Sequence, residues 1–251
     1  MEADNQQGLA HFLEHMAFNG TKDYPAGEMV EYFQRLGMGF GSHTNAHTGF
    51  KETVYKLELP SAESDMLDEG FKVLRNYASE MVLDPKEIDD ERGVIMSEKR
   101  SRDSADWRAL VDWIEFAFPE NQIGSRLPIG TEEVIQNAPR ERFVEFYKKW
   151  YTPKRMAVVA VGEIKVEEVE ALVEKYFADF VGQGGDSPDP KWGAIPQRGV
   201  IAHYHSDAEA SETQVSLERS RPADFGPDSQ ARREKGLRIH LVSMILARRF
   251  D

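Results

Sequence analysis

Apolar and polar positions along this chain follow two periods, and the switches between them mark out its elements. Over residues 5–18, Leu9, Phe12, Leu13 and Met16 share one arc of a 3.6-residue repeat. That pattern predicts a helix capped by Asp4 or Asn5 and stopped by "NGT" at 19–21. "AGEMVEYFQRLG" predicts a second short helix, closed by Gly37. "ETVYKLEL" alternates apolar with polar and predicts a strand. The helical period returns in Met66, Leu67, Phe71, Leu74, Tyr77, Ala78 and Met81. "DPKEIDDERGVIMSEKRSR" opens as a helix, with Asp84 at the cap, Pro85 in the first turn and Glu87 at the capping-box position. "RERFVEFYKKWY" reads as a helix ended by Pro153, "RMAVVAVG" as a buried strand and "KVEEVEALVEKYFADF" as a helix. "GQGGDSPDPKWGAIPQRG" reads as a linker. Beyond it come a strand pair around "VIAHYH" and "TQVSLERS" and a last helix, "SQARREKGLRIHLVSMILARRF".

Composition narrows the function classes. The chain has 251 residues, 40% of them apolar, enough for one large or two modest cores. Its net charge of −13 argues against nucleic acid, which demands a basic face. There is no cysteine, hence no disulfide framework, thiolate metal site or cysteine nucleophile. No apolar run is long enough to span a bilayer, and no signal-peptide pattern is visible.

The first helix carries the chemistry. His11, Glu14 and His15 lie on an arc away from its apolar side. Two histidines four residues apart on one helix face can ligate one ion, and a carboxylate beside them can shuttle a proton. H-x-x-E-H is the inverted form of the H-E-x-x-H zinc helix. A catalytic zinc takes three protein ligands, and this spacing supplies two. Glu91 and Glu98, two turns apart in "DDERGVIMSEKR", both offer a third.

"GLAHFLEHMAFNGT" followed by "ERGVIMSE" resembles the pitrilysin/insulinase family of zinc metallopeptidases, the inverzincins. The resemblance continues through "NAHTGFKETVY", "PIGTEEVI" and "FYKKWYTPKRMAVVAVGEI" in order, and is strongest to the long bacterial members. It implies an α+β fold: a mixed, largely antiparallel sheet with helices packed on one face. It implies one Zn2+ in the catalytic domain, bound by His11, His15 and Glu98, with Glu14 as general base and Glu91 orienting a ligand. Counting residues from His15 would favour Glu91 as the third ligand; the local pattern favours Glu98. Asn45 and Ala46 fall in the family's edge strand, to which an extended peptide substrate adds by backbone hydrogen bonds.

Family members carry strands before the zinc helix and further homologous domains after this region. The chain therefore reads as a fragment truncated at both ends. Residues 1–183 would form the catalytic domain, and 184–251 a linker and the start of a second domain. The implied partners are a peptide substrate and a C-terminal half or homologous subunit that closes over it. The implied activity is a metalloendopeptidase, weak or absent in this fragment alone. A periplasmic or otherwise exported location follows from the bacterial likeness. A catalytically silent scaffold subunit is the alternative reading, and the intact H-x-x-E-H argues against it. S-ribosylhomocysteine lyases share the motif but need cysteine, which this chain lacks.

Overall fold

The computed structural model describes residues 2–250 except 36, 40, 42, 185–187, 196, 197 and 219–225. They divide into two compact units, residues 1–210 and 211–251. The first unit is α+β, rich in helix around a small antiparallel hairpin. It runs α1 (Leu9–Met16), α2 (Glu28–Arg35), β1 (Thr44–Thr48), β2 (Thr53–Leu57), α3 (Ser64–Ser79), α4 (Pro85–Arg102), α5 (Ala105–Ala117), α6 (Glu132–Asn137), α7 (Arg140–Trp150) and α8 (Val166–Phe177). The second unit contains α9 (Gln230–Phe250).

Helix α1 is the hub. Leu9, Phe12, Leu13 and Met16 are completely buried, with Phe12 edge-on to Phe143 of α7 at 4.7 Å between ring centroids. Each such side chain contributes roughly 2 kcal/mol of transfer free energy. The same cluster takes in Phe33 of α2, Tyr77 of α3, Ile88 and Ile95 of α4 and Ile135 of α6. β1 and β2 pair in register from Thr44 opposite Leu57 to Thr48 opposite Thr53. Tyr55 of β2 and Tyr151, just past α7, join hydroxyls at 2.6 Å and tie the hairpin to the helical body.

The start of α1 departs from the sequence expectation. Asp4 and Asn5 form a separate 3-10 turn, and the helix begins only after Gly8, whose φ is +97°. Its free N–H groups are met by Glu2, whose carboxylate accepts from Gly8 at 3.1 Å and Ala10 at 2.9 Å. The opening of α4 is as the pattern predicted: the Asp84 side chain accepts the Lys86 N–H at 2.8 Å, with Pro85 in the first turn. Helix α5, to which the periodicity assigned nothing, is capped by Ser104 accepting from Trp107.

Three expected strands are irregular here: "RMAVVAVG", "VIAHYH" and the described part of "TQVSLERS". A strand needs a laddered neighbour, and among the described residues none pairs with these segments. Their apolar side chains stay open instead; Val159 is 79% and Val161 92% exposed. In α9, Leu237, Leu241 and Ile245 are likewise exposed. No helix of the described residues is long and apolar enough to cross a membrane.

Gly8 is fixed by a backbone contact. It lies against Gly130, whose own φ is +76°; a Cβ on Gly130 would fall 2.5 Å from both Gln7 O and Gly8 Cα. Gly130→Ala therefore combines left-handed strain with a collision between two backbones, and should destabilise by more than about 2 kcal/mol in denaturant titration. Gly27 has φ +82°, but a methyl added there would meet nothing within 4 Å. Gly27→Ala, bearing strain alone, should cost only about 1 kcal/mol. Equal losses at the two sites would remove the case for the contact.

Candidate functional site

The polar trio of α1 is held inside the fold rather than on its surface. His11 and Glu14 are buried, and His15 is partly so. α4 brings both of its candidate carboxylates to them. Glu98 Oε2 stands 3.5 Å from His11 Nε2 and 3.5 Å from His15 Nε2. Glu91 Oε1 accepts from His15 Nδ1–H at 2.7 Å.

The two glutamates are thus partitioned. Glu91 has both oxygens occupied, the second accepting from Asn19 Nδ2 at 2.5 Å. Glu98 gives Oε1 to Arg102, while Oε2 is buried without a hydrogen-bond partner. His11 Nδ1 is also buried and unpartnered.

The donor set fits a metal ion. One nitrogen from each histidine and one oxygen of Glu98 lie within 4.8 Å of one another. Ligands about 2.0–2.1 Å from a tetrahedral zinc stand roughly 3.3 Å apart, close to the 3.5 Å spacings here. An unpaired buried carboxylate oxygen facing two imidazole nitrogens is costly without a cation between them. Two imidazoles and a carboxylate suit zinc and several other divalent ions.

Protonation follows the surroundings. Burial, with the charge of His15 second, pulls His11 down to about 4, so its ring is neutral at pH 7 and keeps a lone pair. For His15, burial works against the charged form, but the hydrogen bond and charge of Glu91 and the nearby carboxylates outweigh it and raise the group. With Glu91 on Nδ1, Nε2 is the ring nitrogen of His15 that would face a metal ion. Burial pushes Glu14 up, and the Thr48 hydroxyl opposes this by donating to Glu14 Oε2 at 2.5 Å. Thr53 backs Thr48 across the hairpin, with hydroxyls 3.2 Å apart.

β1 presents an edge beside this cluster. Glu58 N–H donates to His43 O at 2.7 Å, and Gly49 N–H to Glu52 O at 2.8 Å. By antiparallel alternation Asn45 and His47 also turn their main chain toward β2, leaving Thr44, Ala46 and Thr48 to turn theirs outward. The Ala46 N–H donates to the Asn45 side chain at 2.8 Å, and Thr44 O accepts from Gly41 at 2.8 Å. Asn45 is exposed, and Ala46 packs against the core.

Asn19, Thr48 and Arg102 were not singled out by sequence reasoning. Only Arg102 had a local signal, its i,i+4 spacing from Glu98.

Residues 1–124 match the family described as insulinase (peptidase family M16), and residues 137–218 match the peptidase M16 inactive domain. A probable zinc protease, PqqL, of Escherichia coli is 35% identical over 173 residues, 69% of this chain and 19% of that protein. The protein of the same name from Haemophilus influenzae is 37% identical over 174 residues, again 69% and 19%. The crystal structure of the first half of the periplasmic protease PqqL from Escherichia coli superposes with a TM-score of 0.73 at 31% identity, covering 78% of this chain and 42% of that one. The chain spans about a fifth of the length of the curated relatives it matches.

Thr48→Val should leave Glu14 Oε2 buried and unpaired, at a cost of about 1–2 kcal/mol in urea unfolding at neutral pH, whereas Thr48→Ser should restore most of it. Equal stability of the valine and serine variants would show that the hydroxyl contributes nothing.

Proposed function

Because the chain belongs to the insulinase family of peptidases (M16), we propose that it carries the zinc centre of a metalloendopeptidase acting on extended peptides. The observation that supports this most directly is the buried, unpartnered Glu98 Oε2 facing the Nε2 atoms of His11 and His15. In this reading His11, His15 and Glu98 are the ligands, Glu14 is the general base, and Glu91 fixes the ring of His15.

A bound zinc ion would acidify a water and polarise a substrate carbonyl. The chain's own residues supply the rest. Glu14, one turn from His11 and next to His15, takes a proton from the attacking water and returns it to the leaving amine. Thr48 holds Oε2 of that carboxylate and leaves Oε1 to move the proton. The outward backbone of β1 at Ala46 and Thr48 accepts the substrate as an added strand, which asks for extended conformation more than for particular side chains. The Asn45 side chain, now on the Ala46 N–H, gives way to the incoming strand.

The reading includes a second, closing half, from the same longer chain or a homologous subunit, that completes the site and excludes water. It also includes an exported location, supported by the periplasmic description of the Escherichia coli relative. A catalytically silent scaffold remains the competing reading, disfavoured by the presence together of both histidines, Glu14 and Glu98.

Mass spectrometry of the purified protein should find close to one zinc per chain, lost in His15→Ala and Glu98→Gln and kept in Glu14→Gln. Whatever hydrolysis of a quenched-fluorescent peptide pool the parent shows should fall about 10²–10⁴-fold in Glu14→Gln. Zinc retained in Glu98→Gln but lost in Glu91→Gln would exchange the roles of the two glutamates. In the complete enzyme Ala46→Pro, which deletes an outward N–H, should depress peptide hydrolysis, and unchanged turnover there would falsify the added-strand mode.

A further inference from the structure

Resting on the reading of His11, His15 and Glu98 as a zinc site, we propose that Arg102 is a positioning residue that makes Glu98 a one-oxygen ligand. A carboxylate can meet a metal through one oxygen or two. With two histidines, a two-oxygen Glu98 would supply four protein donor atoms and fill the position that a catalytic site leaves to water. A one-oxygen Glu98 supplies three. The structure has already divided the carboxylate in this way. Oε1 is taken by the Arg102 guanidinium, and Oε2 alone faces the two histidines, 3.5 Å from each Nε2. Oε2 has no hydrogen-bond partner of its own.

The device is local to α4. Arg102 follows Glu98 by one helical turn, so the helix itself brings the pair together. A guanidinium does not lose its proton in the working pH range, so the charge facing Oε1 is present throughout it. An ordinary exposed i,i+4 ion pair is worth little. This one differs because it fixes the orientation of a carboxylate whose other oxygen is buried. Arg102 is itself 45% exposed at the side chain, so it can be replaced without opening the core.

The competing effect is charge. A cation beside the site also repels a metal ion, and on that account alone its removal would tighten binding. Orientation and charge therefore predict opposite signs.

The test uses the 251-residue chain and needs no turnover. Zinc affinity would be measured by competition with a chromophoric chelator for the parent, Arg102→Met, Arg102→Lys and His15→Ala, alongside the visible spectrum of each cobalt(II)-loaded protein. Arg102→Met should bind zinc about tenfold more weakly. Its cobalt absorption should drop, as for an ion whose coordination number has risen through Oε1. Arg102→Lys should recover much of both, and thermal unfolding of the metal-free variants should match the parent. Unchanged or tighter zinc binding by Arg102→Met, with an unchanged cobalt spectrum, would overturn the proposal and leave the zinc reading intact. A parent chain that binds no zinc, or a His15→Ala chain that binds it equally well, would bring down the zinc reading and this proposal with it.

Discussion

Everything in the first unit is arranged around the cost of burying polar groups on one core helix. α1 packs on several sides, yet it carries two imidazoles and a carboxylate among its eight residues. Left unpaired, such groups would cost several kcal/mol in desolvation. The surrounding elements offset that cost one atom at a time. α4 sends Glu91 to His15 Nδ1, the turn after α1 sends Asn19 to Glu91, and β1 sends Thr48 to Glu14. Beside these pairings, one nitrogen of each histidine and one oxygen of Glu98 are gathered within 4.8 Å of one another, which is how a metal site differs from a badly packed core.

The division of labour between the two glutamates shows the same economy. Residues 91 and 98 share a face of α4, and nothing in their identity separates a ligand from its support. The separation comes from their neighbours. Asn19 and His15 use up both oxygens of Glu91, whereas Arg102 uses only one of Glu98.

The helices were legible where a buried stripe or a clear start signal stood in the sequence, as in α1 with its Leu-Phe-Leu-Met arc and α4 with Asp84 and Pro85. The H-x-x-E-H trio was legible because its members are close in sequence and share a helix face. Three things were not. α5 received no assignment although Trp107, Leu110, Val111 and Ile114 repeat at helical spacing; of its residues only Ile114 is buried. The strand expectation for "RMAVVAVG" rested on apolar content, but ladder formation depends on a neighbour that no local pattern can supply. The hydrogen bond from Thr48 to Glu14 joins residues 34 apart, and a threonine in a polar stretch gives no sign of so distant a partner.

The Gly8–Gly130 contact has a consequence for how this region tolerates change in length. Each residue added to a helix turns everything after it by about 100°. With the helix start pinned by two touching backbones, a single insertion or deletion between Gly8 and His11 would swing both imidazoles away from Glu98. The loop between α2 and β1 follows the helix, so a change in its length does not alter the rotation of α1. The aim of both imidazoles therefore depends on chain length between Gly8 and His11 and is indifferent to it in that loop.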